Sequence, residues 1–163
     1  MSVELITRYV KILIVFVLLW TGLWAFNTVG CSRIDGPEMM PTFAAEKNAL
    51  IDPRVHSAEQ LNRDDVVAYI FEQPGNRGSR KATARVVGLP GDRVKMVKGE
   101  VYVNGERAAG GGSGDKKTGD DYAEIFVPRN TVFVLCDNRS GTKTIDSRTL
   151  GPIGCWSIAG KLR

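Results

Sequence analysis

The chain has 163 residues, with 22 Lys and Arg against 18 Asp and Glu and a single His. That length holds one compact domain and is too short for two. At 43% hydrophobic and 25% charged residues, the composition excludes a disordered chain, a collagen-like repeat and a polytopic membrane protein.

Apolar residues concentrate near the amino terminus. Residues 12–26 read ILIVFVLLWTGLWAF, fifteen positions without a charge. With Tyr9, Val10, Thr28 and Val29 at its ends, the run approaches the roughly 20 residues that cross a bilayer. It is expected to be a single transmembrane anchor, with residues 1–30 forming a cytoplasmic tip and the span. A cleaved signal peptide would end in a small-x-small site, whereas this run leads into NTVGC. Arg8 and Lys11 precede the run and Arg33 follows it among Asp35 and Glu38, which leans the amino terminus towards the cytoplasm. Trp20 and Trp24 lie four apart and share a helix face. Thr21 and Gly22 beside them would let a second helix approach, and an aromatic belt at the bilayer surface is the alternative. The expected partners are therefore membrane lipid and other integral membrane proteins.

Beyond residue 30, 20 Lys and Arg (22 minus Arg8 and Lys11) stand against 17 Asp and Glu (18 minus Glu4). These charges form no basic block and read as a solvated surface, so nucleic acid is not an expected partner. Cys31, Cys136 and Cys155 are widely spaced and His56 stands alone, which makes no metal set. No cofactor is expected. In an extracytoplasmic compartment Cys136 and Cys155 are expected to face each other across neighbouring strands as a disulfide, with two buried free thiols as the alternative. Cys31 after Gly30 is similar to a lipoprotein cleavage site, which Asn27 and Thr28 fit poorly.

From residue 31 onward the apolar pattern is one of short β-branched runs broken by Gly, Pro, Asn and Asp, the signature of an all-β domain over 31–163. Strands are expected over 48–52, 65–71, 82–88, 93–98, 100–103, 123–127, 131–136 and 153–162. Lys98-Gly99 and Asn104-Gly105 supply turns that make 93–108 a small hairpin array. Residues 108–121, AAGGGSGDKKTGDD, read as a flexible loop. They do not make a phosphate-binding loop, because Gly114 is followed by Asp115 with no helix after it.

Three segments, in order, resemble the boxes of the signal peptidase I (leader peptidase) family of membrane-anchored serine proteases. GPEMMPTF, residues 36–43, is similar to that family's GxSMxPT. RVVGLPGDRV, residues 85–94, followed by GEVYVNGE, residues 99–106, resembles KRxxGxPGD and the strand pair after it. CDNRSGTKTIDSRTLGPI, residues 136–153, resembles GDNRxxSxDSRxxGP. The resemblance runs through most of the chain and implies an antiparallel signal-peptidase-like β domain behind one helix.

It also implies a site, and there the chain departs from the pattern. In the family a Ser hydroxyl attacks the scissile carbonyl and a neutral Lys amine takes its proton. The nucleophile position holds Glu38 and the base position, just before Arg85, holds Ala84. Ser32 lies six residues before Glu38, about 20 Å along an extended chain. Lys81 and Thr83, at odd offsets from Ala84, point to the other strand face. The second Ser of the family falls near Thr144, with two extra residues between Arg139 and Asp146.

Asp35, Gly36, Pro37, Glu38, Ala82, Thr83 and Ala84 would line the peptide groove, where an extended peptide could add by backbone bonds. Asp137, Asn138, Arg139, Asp146, Ser147 and Arg148 read as a polar corner whose members satisfy one another. The sequence thus points to a homologue without the chemistry, serving as a structural or binding subunit of a membrane complex. Two alternatives stay open: an active signal peptidase I-type endopeptidase, and an accessory protein that holds signal peptides without cutting.

Overall fold

The computed structural model describes residues 3–26, 30–34, 36–55, 57–72, 78–108, 121–139 and 145–163. Asp35, His56, Thr144 and nearly all of the Gly-rich loop fall outside these residues. The chain opens with helix α1 (Val3–Phe26), 24 residues or about 36 Å of helix at 1.5 Å per residue. Its large apolar side chains, from Leu5 through Leu13, Phe16 and Trp20 to Leu23, are exposed on every side. Among the described residues, nevertheless, no helix is long and apolar enough to cross a membrane. The structure supplies the expected helix and leaves the expected span undemonstrated. The Trp24 side chain lies outside the described residues, so the Trp20–Trp24 face is not defined.

Eleven strands follow among the described residues. In order they are β1 (Gly30–Arg33), β2 (Asn48–Asp52), β3 (Val66–Glu72), β4 (Ser79–Gly88), β5 (Arg93–Val97), β6 (Glu100–Val103), β7 (Glu106–Arg107), β8 (Tyr122–Phe126), β9 (Thr131–Leu135), β10 (Ile153–Gly154) and β11 (Ile158–Leu162). They form two antiparallel sheets, one of order β1-β2-β11-β3-β4-β9-β10 and one of order β7-β6-β5-β8. The short helix α2 (Ser147–Leu150) precedes β10.

The period of two along each strand explains the three packed clusters. Val67, Tyr69 and Phe71 of β3, Ala84 and Val86 of β4 and Val132 and Val134 of β9 share one cluster with Cys136 and Cys155. The alternate residues Val66 and Ala68 of β3 join Ile34, Met39 and Ile51 on the other face. Phe133 and Leu135 of β9 pack with Val94, Met96, Val101 and Val103 of the small sheet. A strand buried on both faces reads as the continuous apolar run TVFVL.

Both turn signals of the hairpin array act as expected. Lys98 and Gly99 have φ of 51° and 77°, and Asn104 and Gly105 have 53° and 89°, the left-handed pairs that tight hairpins demand.

Two expectations need correction. The strand expected over 153–162 is two strands: β10 pairs with β9 and β11 pairs with β2 and β3. One segment cannot serve both places without a break, which the 3-10 turn Cys155–Ser157 provides. The expected Cys136–Cys155 disulfide is absent, and both are free buried thiols. The backbone N–H of Cys155 donates to Asn130 O, which places it six residues from Cys136 along β9, about 20 Å at 3.3 Å per residue. That is far beyond the reach of a disulfide.

Candidate functional site

The three boxes meet at one point. Arg85, from the second, donates through Nε to Asp137 Oδ1 at 2.8 Å and through Nη2 to Asp137 Oδ2 at 2.5 Å. Thr42, from the first, donates its hydroxyl to the same Oδ2 at 2.5 Å and accepts from Arg85 Nη2 at 3.3 Å. The two-pronged pair is partly buried, and the guanidinium also reaches Asp64 O at 2.9 Å. The bond to Asp137 holds Arg85 above its ordinary value against the opposing effect of burial. A planar fork meeting a carboxylate in this way fixes direction as well as distance.

The 3-10 turn Pro37–Met39 is pinned beside this junction. Asn138 donates its backbone N–H to Glu38 O at 2.8 Å and its Nδ2 to Pro37 O at 3.2 Å. Met39 is fully buried beneath the turn. A Cβ at Gly36 would overlap the Glu38 carboxylate, so the glycine leaves the space into which that side chain folds.

Ala84 is fully buried. On one side it pairs with Val67. On the other, Arg85 pairs with Leu135 and Val86 with Val134, and the same register carried one step further puts Cys136 opposite Ala84. Tyr69 closes this face, buried at 0% exposure, and donates its hydroxyl to Ile145 O at 2.6 Å. The space beside Ala84 is thus filled by a valine, a thiol and a phenol.

The thiol is no obvious replacement nucleophile. Burial, followed by the Asp146 and Glu38 carboxylates, pushes the Cys136 thiol well up, and thiolate is the reactive form. Burial likewise pushes the Tyr69 phenol up, with Cys136, Asp146 and Glu38 adding to it.

A polar cavity of about 260 Å³ opens between the end of β1 and the first half of β4. Of the expected groove residues, Gly36, Glu38, Ala82 and Thr83 line it. Pro37 is exposed beside it, Ala84 is sealed beneath, and Asp35 is not described. Three further lining residues are cations, Arg33, Arg80 and Lys81; in the sequence Arg80 reads as ordinary solvated charge, Arg33 only as a flank of the anchor and Lys81 only as a poor stand-in for the base. Their signal was the adjacent pair Arg80-Lys81 in a strand that ends at a family-like box.

The expected polar corner divides its work. Asp146 caps α2 by accepting from Arg148 N at 3.0 Å, and its carboxylate is also held by the Arg148 guanidinium. Its Oδ2 further accepts from Cys136 N at 3.2 Å. Ser147 Oγ accepts from Val134 N at 2.9 Å, and buried Arg139 donates to Gly99 O at 2.8 Å, in the β5–β6 turn. Apart from the Asp146–Arg148 pair, the bonds described here run outward to other elements rather than around a closed corner. No group of three or more His, Cys, Asp or Glu among the described residues is placed to hold a metal ion.

Comparison with known proteins places this geometry. Residues 5–163 match the family described as Signal peptidase, peptidase S26. Signal peptidase I V of Bacillus subtilis (strain 168) is 32% identical over 141 residues, covering 78% of this chain and 80% of that protein. Signal peptidase I S of the same organism is 30% identical over 138 residues, covering 78% and 71%. The crystal structure of a signal peptidase I from Enterococcus faecalis V583 is 27% identical, with a TM-score of 0.48, and the match covers 63% of this chain and 97% of that one. The chain belongs to the signal peptidase family, peptidase S26.

Proposed function

We propose that this chain is a signal peptidase homologue that does not cleave, anchored to a membrane by α1 and acting as a structural or binding subunit of a membrane protein complex. The observation that carries the reading is the buried, filled surround of Ala84, the position at which the family's base belongs. Acyl transfer of this kind needs a hydroxyl and a neutral amine within hydrogen-bond reach. Glu38 offers a carboxylate, whose acyl product would be a labile anhydride, and Ala84 offers no proton acceptor. Site chemistry, not fold, decides function.

A helix apolar on all sides must be covered by lipid or by other helices, which supports the anchor. Arg8 and Lys11 orient the short end to the cytoplasm and the β domain to the extracytoplasmic side. Thr21 satisfies its own hydroxyl within the helix, donating to Val17 O at 2.9 Å, so a neighbouring helix can lie against it or Gly22 without an unpaired polar group.

One observation favours the competing reading of an active endopeptidase: Lys81 lines the same cavity as Glu38. Its amine belongs to an exposed side chain on the strand face opposite Ala84. Incubating the full chain in mild detergent with a preprotein that carries a small-x-small site separates the two. No specific cleavage is expected. Cleavage at that site, abolished by Glu38→Ala, would overturn the non-cleaving reading.

A further inference from the structure

We infer that Trp156, on the 3-10 turn between β10 and β11, is a second membrane contact that seats the β domain in the interfacial layer of the bilayer entered by α1. The inference rests on the anchor reading above and adds to it a site in the β domain.

The first support is how the ring is displayed. Trp156 is 82% exposed, although Trp is highly buried on average. The turn that carries it is held firmly. The Cys155 N–H donates to Asn130 O at 2.9 Å, the Ser157 hydroxyl to Gly154 O at 2.7 Å and the Ile158 N–H back to Cys155 O. Cys155 and Ile158, on either side of the ring in sequence, belong to the buried core. A Cβ at Gly154 would overlap the indole, so the glycine gives the ring a backbone wall to lie on. An apolar body with a single N–H donor suits the boundary between hydrocarbon and water.

The second support is where the turn lies. Phe26 ends α1 and Gly30 begins β1, so four residues of chain keep the two within about 14 Å. Gly30 pairs with Ile51 of β2, Lys161 of β11 pairs with the next residue, Asp52, and Ile158 pairs with Tyr69 of β3. β11 therefore starts about 10 Å beyond the level of Gly30, on the side from which the chain arrives. Trp156, two residues before Ile158, is at that end of the sheet. So is Ile70, next to Tyr69 along β3, a large apolar side chain left half exposed. Two such side chains are too little for a stable protein interface, which takes roughly 800 Å² from each partner. A bilayer needs only the ring itself, and α1 brings the lipid within reach.

Indole fluorescence of the full chain in phosphatidylcholine nanodiscs tests this. The chain has three Trp. Trp20→Phe with Trp24→Phe leaves Trp156 alone, and Trp24→Phe with Trp156→Phe leaves Trp20 as a reporter of α1. Each protein is compared in ordinary lipid and in lipid brominated on the acyl chains, either near the glycerol or at mid-chain, with acrylamide as the aqueous quencher. Trp156 is expected to lose most of its emission to the bromines near the glycerol and to be shielded from acrylamide relative to the urea-unfolded chain. Trp20 is expected to be quenched by bromine as well.

A Trp156 indifferent to bromine and open to acrylamide, beside a quenched Trp20, would overturn the inference and leave the anchor standing. Protection of Trp156 from both quenchers would also overturn it, because the ring would then lie against protein. Quenching of Trp156 without Trp20 would keep the contact and end the anchor. Indifference of both indoles to bromine would end the two readings together.

Discussion

Two corners of the molecule come from family-like boxes and behave differently. At the turn from Gly88 to Asp92 each glycine has a physical task. A Cβ at Gly88 would come within 2.6 Å of Val94 Cγ2 and 3.1 Å of Phe133 Cβ, and Gly91 has φ of +91°, a left-handed conformation that favours glycine. Asp92 is buried and accepts from Leu89 N at 2.7 Å, from Arg63 Nη2 at 2.8 Å and from Asn104 Nδ2 at 2.8 Å. At the corner of Glu38 and Ala84, by contrast, the bonds that hold the site use backbone atoms. Asn138 grips the Glu38 and Pro37 carbonyls and Ala84 contributes a strand register. The first corner depends on side-chain identity, so substitution there costs the fold. The second holds residue 38 by backbone bonds, so the side chain there can change at little cost to the scaffold, whereas the fully buried Ala84 leaves room only for a small one.

The largest expected loss comes from breaking the junction where the boxes meet. Asp137→Ala strands the Arg85 guanidinium in a partly buried position and removes the partner of Thr42, which should lower stability by about 3 kcal/mol. Urea unfolding of the full chain in detergent measures it. A loss under about 1 kcal/mol would mean that the junction contributes no more than an exposed pair. Glu38→Ala, measured in the same way, should lie within about 0.5 kcal/mol of the parent, as befits a partly exposed side chain outside these networks.

Next comes the attempt to restore the base. Ala84→Lys must push a long side chain into space held by Val67, Tyr69 and Cys136, an overpacking cost of about 2 kcal/mol. Glu38→Ser combined with Ala84→Lys is therefore expected to give a less stable protein without specific cleavage of a preprotein. Ready cleavage by that double variant would show that the site differs from a working one at two side chains only.

Most strands were legible because their apolar residues alternate and their boundaries carry turn residues. Residues 48–52 and 100–103 match the observed strands at both ends, and Lys98-Gly99 marked its hairpin. The convergence of Thr42, Arg85 and Asp137 was not legible, because contacts separated by 52 and 95 positions in the chain leave no local pattern. β1 was missed because Gly-Cys-Ser-Arg has no apolar alternation; only pairing with β2 makes it a strand. α2 has a readable trace in the sequence: Asp146 as a capping residue and Gly151, at φ of +76°, as the stop. The cations of the cavity were visible as residues and not as a group, since packing of the Pro37–Met39 turn on β4, rather than proximity in sequence, brings Arg33 near Arg80 and Lys81.

A smaller effect tests the Gly88–Asp92 corner by pH. Burial raises the Asp92 carboxyl, but the bonds from Arg63, Leu89 N–H and Asn104 outweigh it and hold the group below its ordinary value. A carboxyl depressed in the folded state adds stability that is present above the unfolded pKa, near 4, and is lost as pH falls through the folded value. Asp92→Asn should cost about 1.5 kcal/mol at neutral pH, a modest figure because Arg63 is half exposed and its bond is screened. The gap between parent and variant should close as the pH falls below about 4. A gap that stays constant down to acid pH would show that the Asp92 charge is not what the corner uses.

The smallest expected effect asks whether Cys136 and the missing amine compete for one volume. The box that Cys136 opens resembles GDNR, so a glycine is the family-like residue there, and the strand register puts Cys136 opposite Ala84. Cys136→Gly alone removes a buried side chain and should destabilise by about 1 kcal/mol. Ala84→Lys alone overpacks the same space. If the two side chains compete, the double variant should be more stable than the sum of the single effects predicts, with a coupling of about 1 kcal/mol. Unfolding of the four proteins in a double-mutant cycle reads this directly. Strict additivity would mean that the lysine leaves by another route and that the thiol fills space unrelated to the base. A favourable coupling would identify Ala84 and Cys136 as one packing unit, whose repacking goes with the absence of an amine.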